Sequence, residues 1–189
     1  MFTFYDMEVF KHDWMVVFEQ DGQFTRIHND SEALRGFLDT VHFLIGFNNY
    51  HYDDKVVAGL LRGMDPHEVS SKIIVGDEVR LFLNKPITLD VMQEMRMGVG
   101  LKEAEANLGL NVHETPVDFN LDRPLTEEEI ERTFLYCEND VKVTKRLFEK
   151  RESYFASKFE LVKTFGLPAA AVKRTRAGLS ATVLKCGKF

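Results

Sequence analysis

This 189-residue chain has only two cysteines, Cys137 and Cys186, too few and too far apart for a disulfide framework or a clustered cysteine metal site. No apolar run approaches the roughly 18 residues that a membrane helix needs. The first ten residues hold Asp6 and Glu8 inside their apolar stretch and carry no basic leader, so they do not read as a signal peptide. These absences point to a reducing, cytoplasmic setting and to no membrane partner. Positive charge is also scarce: 24 Lys and Arg face 30 Asp and Glu, a formal net charge of −6. From Lys158 onward the balance is +6, and the rest of the chain carries −12. Such a body does not coat duplex DNA by charge alone. It suits the concentration of metal ions, with a basic end that either meets something anionic or is a solvated helix face. What the chain has in quantity is core material, 44% hydrophobic residues, which excludes disorder as its main state.

Phe2, Phe4 and Tyr5 favour a strand over residues 1–8, followed by β-rich runs over 14–18 and 24–27 with an Asp21-Gly22 turn between them. Asp30-Ser31-Glu32 opens a helix with Leu34, Phe37 and Leu38 at helical spacing. A fully buried strand is expected over 41–47, then a helix through Val56, Val57, Leu60 and Leu61 that stops at Gly63. Pro66 starts another helix, with Val69, Ile73 and Ile74 as its apolar face. A short strand over 87–91 and a short helix over 101–108, ended by Gly109, precede a loop over 111–124. Thr126 and Glu129 form a capping box for a helix that runs without Gly or Pro to Phe165, long enough to predict a break near residues 151–154. Hairpin-linked strands followed by alternating helices and strands predict an α/β fold: a mixed sheet with helices on both faces.

Three groups of residues carry chemistry. Asp6 and Glu8 leave the same face of a strand, roughly 6.5 Å apart at the α carbons. Two acids placed so repel each other and resist burial unless a cation neutralises them. Asn49-Tyr50-His51-Tyr52-Asp53-Asp54 follows a strand end, where α/β folds place ligand groups, although either acid could equally cap a helix. Tyr136 and Asp140, four apart, share one helix face about 6 Å apart along the axis; the competing explanation is a packed tyrosine and an acid held by a base. Carboxylates alone suit a hard cation such as Mg²⁺ or Mn²⁺. Four of them can hold two ions about 3.5–4 Å apart, an arrangement that clamps both oxygens of a phosphodiester displacement.

The order Asp6-x-Glu8, Asn49-x-x-Tyr52-Asp53, Tyr136-x-x-x-Asp140 closely resembles the three motifs of the DEDD 3′–5′ exonucleases, which have a ribonuclease H-like fold and include the proofreading domains of DNA polymerases. The histidine subclass would carry His at position 135; Leu135 stands there, so the pattern matches the tyrosine subclass. Leu101-Lys102-Glu103-Ala104 to Gly109, followed by the Pro124-to-Glu129 run, is similar to N-terminal exonuclease regions of bacteriophage-type DNA polymerases, over about residues 1–150.

The resemblance implies that Asp6, Glu8, Asp53 and Asp140 bind two Mg²⁺ or Mn²⁺ ions, and that Tyr136 orients or deprotonates the attacking water. Asn49 would hold the substrate strand near its 3′ end. Asp54, adjacent to Asp53, stays an alternative ligand on spacing alone. Phe47, Tyr50 and His51 are candidates for stacking on single-stranded DNA ends, with ordinary packing as their other explanation. Met7 is a further candidate contact, though strand alternation sends it to the opposite face. The expected domains are a ribonuclease H-like exonuclease over 1–157 and a basic helical tail, or the start of a following domain, over 158–189. A DNA polymerase, in the same or a separate chain, is the expected partner. Two other functions remain open: an RNA-directed exoribonuclease of ribonuclease D type, and a non-catalytic nucleic-acid-binding module of the same fold.

Overall fold

A computed structural model describes residues 1–95, 100–107 and 117–185. Its strands are β1 (Phe2–Val9), β2 (Trp14–Gln20), β3 (Gln23–His28), β4 (Phe43–Gly46) and β5 (Ile87–Asp90). They form one five-stranded mixed sheet in the order β3-β2-β1-β4-β5. β1, β2 and β3 pair antiparallel, and β4 and β5 add in parallel on the far side of β1. The Asp21-Gly22 turn closes β2 onto β3 with both residues at positive φ, +49° and +86°, the backbone a tight hairpin demands.

Side-chain alternation along β1 divides the molecule into two cores. Tyr5, Met7 and Val9 pack with Trp14, Leu34 and Val56 on one face, beneath α1 (Ser31–Asp39), α2 (Asp53–Leu60) and α3 (Pro66–Ile74). Phe4 and Phe10 pack on the other face under α5 (Glu127–Lys150), with Val141, Leu147 and Phe148 of that helix. Asp6 and Glu8 share this second face. α4 (Leu101–Asn107) lies against α5.

The capping box at the start of α5 forms in both directions. The Thr126 hydroxyl accepts from the Glu129 amide, and the Glu129 carboxylate accepts from the Thr126 amide. The expected break falls at Arg151, whose backbone (φ −103°, ψ 17°) leaves the helical region and starts α6 (Glu152–Thr164). A 3₁₀ turn (Ala169–Lys173) and α7 (Arg176–Val183) follow. The described part of the segment set apart by its charge, 158–185, is not loose on the surface: Val162, Val172 and Leu179 are buried in the same core cluster as Phe4 and Phe148. Among the described residues no helix is long and apolar enough to cross a membrane.

Three expectations change. The strand predicted over 41–47 is shorter because the Val41 amide closes the end of α1 by donating to Leu38, and Asn48 turns the chain with φ +58°. The strand predicted over 87–91 ends one residue earlier, at Asp90. Ile74 is 75% exposed; Val69 and Ile73 lie four apart on the inner face of α3, and Ile74 is one further step of about 100° around the helix. The helix stop expected at Gly109 lies outside the described residues.

Asp13 locks α5 over the sheet. This buried carboxylate accepts from Asn29 Nδ2 at 3.0 Å and from the Leu125 amide at 2.8 Å, and it meets His28 Nε2 at 2.8 Å. It therefore joins the β1–β2 turn, the end of β3 and the entry to α5. Arg26 of β3 adds ion pairs to Glu131 and Glu138 of α5, and Lys145 of α5 pairs with buried Glu19 of β2.

Candidate metal centre

With α5 fixed across β1, Asp140 turns inward above Asp6 and Glu8. Carboxylate oxygens of Asp6, Glu8 and Asp140 all lie within 4.8 Å of one another. Asp140 is buried and the two strand acids are half-buried. Burial pushes the Asp6 carboxyl well above the usual carboxylate range, and the charges of Asp140, Glu8 and Asp53 push it further, while the Cys137 thiol, donating to Asp6 Oδ2 at 3.2 Å, opposes the rise. Glu8 is pushed up to about 8 by burial and then by Asp140 and Asp53, with Lys102 opposing. Without a cation, such a cluster lowers its repulsion by retaining protons.

Asp53 opens α2 and is buried. It is not one of the trio within 4.8 Å, yet its charge raises both Asp6 and Glu8. Burial lifts Asp53 itself to about 8; its own amide and that of Met7 hold it down, and the neighbouring charges of Asp54 and Asp90 lift it further. Met7 thus touches the site through its backbone, while its side chain lies 3% exposed in the opposite core. Asp54 points elsewhere. Its oxygens accept from Tyr5 Oη at 2.6 Å, Asn49 Nδ2 at 2.9 Å and Thr88 Oγ1 at 2.6 Å. Asp53 is therefore the acid of the pair whose charge bears on the strand carboxylates.

Tyr136 sits half-buried one turn before Asp140 on α5. Lys102 of α4 reaches over both: its Nζ lies 4.4 Å from the Tyr136 ring centroid and 3.0 Å from Asp140 Oδ1. Sequence reading assigned this lysine no role, because no local spacing connects position 102 to position 140. Only the packing of α4 on α5 does.

The remaining candidates lie along the loop between β4 and α2. Phe47 is partly buried against the α5 core. Asn49 has no exposed surface. Tyr50 donates to the Thr88 carbonyl at 2.9 Å and carries Lys173 5.5 Å above its ring. With His51, Asp90 and Thr175 it lines a cleft of about 410 Å³. Sequence reading missed Asp90, whose buried Oδ1 accepts the amides of Asn48 and Met92 at 2.8 Å each and so fixes this loop to the end of β5.

The fold thus brings together Asp6, Glu8 and Asp140, leaves Tyr136 one turn before Asp140 under Lys102, sets Asp53 near enough for its charge to act on the strand acids, and groups Phe47, Asn49 and Tyr50 on the adjoining loop. An all-oxygen donor set whose members repel one another fits a hard divalent ion, which would displace the retained protons. Compared with known proteins, the chain matches no family model, no curated protein and no solved structure.

Proposed function

We propose that this chain is a metal-dependent 3′–5′ exonuclease with a ribonuclease H-like fold and the tyrosine variant of the DEDD site, removing nucleotides from single-stranded DNA ends within or beside a DNA polymerase. One observation carries the reading: Asp6, Glu8 and Asp140, more than 130 positions apart in the chain at their extremes, put carboxylate oxygens within 4.8 Å of one another. Burying like charges so closely stabilises nothing by itself. It supports a site whose cost is offset by cations. Asp6, Glu8, Asp53 and Asp140 would hold a pair of Mg²⁺ or Mn²⁺ ions. Such ions, when bound, acidify a coordinated water and offset charge on the leaving oxygen.

The chain's own groups would do the rest. The Tyr136 hydroxyl, one helical turn from Asp140, would orient the attacking water. The Lys102 ammonium, held by Asp140 and the Tyr136 ring, would face an incoming phosphate and fix that ring. Aromatic residues of the loop, Phe47 and Tyr50, would stack on bases without reading their identity.

A second reading, a non-catalytic nucleic-acid-binding module of the same fold, is favoured by one feature. Lys102 already brings a positive charge to Asp140 at 3.0 Å, so part of the repulsion is relieved without metal. Incubating single-stranded DNA and RNA labelled at either end with Mg²⁺, Mn²⁺ or chelator separates these possibilities. The proposal expects metal-dependent release of mononucleotides from the 3′ end of DNA, lost in Asp140→Ala. Preference for RNA would favour the ribonuclease D type, and binding without release would favour the module.

A further inference from the structure

The acid beside Asp53 forms a closed arrangement of its own. Asp54 is 6% exposed, and its three donors come from separate parts of the fold: Tyr5 from β1, Thr88 from β5, and Asn49 from the loop leaving β4. Tyr5 is 1% exposed, and Thr88 and Asn49 are fully buried. The Asp54 amide also donates to the Asn49 carbonyl at 2.9 Å, so one residue pair is tied twice. Gly46 leaves the space this needs. A Cβ there would sit 2.7 Å from Asn49 Cβ and 2.9 Å from Tyr5 Cε1, closer than side chains tolerate.

Tyr5 is the neighbour of Asp6 on β1, and Asp54 is the neighbour of Asp53 on α2. A short hydrogen bond between Tyr5 and Asp54 on the far side of the strand therefore fixes the start of α2 relative to the strand that presents Asp6 and Glu8. Tyr52, the N-cap of this helix, makes no side-chain capping bond, so the grip on Asp54 adds to the bond between the Met7 amide and Asp53 in holding the helix start to the strand. We propose that Asp54, gripped by Tyr5, Asn49 and Thr88, is a positioning residue that sets Asp53 against Asp6 and Glu8 and thereby fixes the geometry of the divalent-ion site. The inference rests on the metal centre proposed above. It also assigns Asn49 to the support of that centre from within the core.

Groups that orient metal ligands typically change metal affinity by about 10–100-fold when lost. The test is Mn²⁺ binding by the otherwise unmodified chain, followed by the electron paramagnetic resonance of free Mn²⁺ well below the unfolding temperature. Asp54→Asn and Thr88→Val are expected to weaken Mn²⁺ binding about tenfold or more, and Thr88→Ser to restore it. Leu34→Ala, in the core beneath α1 and outside the Asp54 hydrogen bonds, is expected to lower stability without this effect and serves as the control for a purely structural role. If Asp54→Asn does not fold, the near-isosteric Thr88→Val and Thr88→Ser pair decides. Wild-type affinity in both folded variants, or an equal loss in Leu34→Ala, overturns the positioning role while leaving the metal centre intact. Absence of Mn²⁺ binding by the unsubstituted chain overturns both.

Discussion

Raising the pH of the metal-free protein from about 5 to about 8.5 should destabilise it, because folding holds protons on carboxyls that the unfolded chain releases. Glu8 in the folded state keeps its proton to about 8, against an ordinary value of 4.5. Between those values the native state binds more protons than the unfolded one, so stability is greatest at the acid end and falls as pH rises. The full displacement corresponds to about 5 kcal/mol at ~1.4 kcal/mol per pH unit. Glu8 keeps part of its surface in water, and burial, followed by neighbouring carboxylates, raises Asp6 and Asp53 as well, so the cluster as a whole should contribute about 2–4 kcal/mol. For a chain of this size that is a fall of roughly 5–15 °C in Tm. Saturating Mn²⁺ should reverse it, adding about 2.7 kcal/mol at a hundred times Kd, with the larger effect at high pH where fewer protons must leave. Scanning calorimetry across this range, with chelator and then with Mn²⁺, measures both. Glu8→Gln isolates the cluster by flattening the metal-free profile. A metal-free Tm that stays level or climbs between these pH values, with the same profile in Glu8→Gln, would refute the electrostatic reasoning.

Asp6→Asn should raise metal-free stability at about pH 8 by about 1–3 kcal/mol while abolishing Mn²⁺ binding, since it removes one of the repelling charges; calorimetry and Mn²⁺ titration of the same sample check the opposed signs. Tyr136→Phe should slow hydrolysis by no more than about 10²–10⁴-fold, because the ring keeps its place and only the hydroxyl is lost; an unchanged single-turnover rate would remove its assigned role. Leu179→Ala should cost about 2–5 kcal/mol in one cooperative denaturant transition, as its side chain belongs to the core shared with the sheet. A separate early transition would instead mark 158–189 as independent. Asp13→Ala should cost about 2–4 kcal/mol in the same assay, leaving the Leu125 amide and the Asn29 side-chain amide without their acceptor.

Local patterns were legible where a local rule determined the outcome. The period of two in β1 shows that Asp6 and Glu8 share a face, the Thr126–Glu129 box marks the start of α5, and an overlong helix implies the break found at Arg151. Features set by long-range packing were not. Ile74 has the character of a core residue but sits past the inner face of α3. The choice between Asp53 and Asp54 turns on Tyr5 and Thr88, which lie 49 and 34 positions away in the chain. Lys102 reaches Asp140 across 38 positions and Asp13 reaches Leu125 across 112, and no spacing rule spans such intervals. The charge of the last segment said that it would meet water or an anion, and it hid the buried Val172 and Leu179 that hold the segment to the sheet.

Acids from β1, α2 and α5 are expected to form one centre for divalent ions. Anomalous scattering from crystals of the protein soaked in Mn²⁺ tests it most directly. Paired peaks about 3.5–4 Å apart, bounded by Asp6, Glu8, Asp53 and Asp140, are expected. Crystals that take up manganese at other positions and leave these four carboxylates without a peak would contradict it.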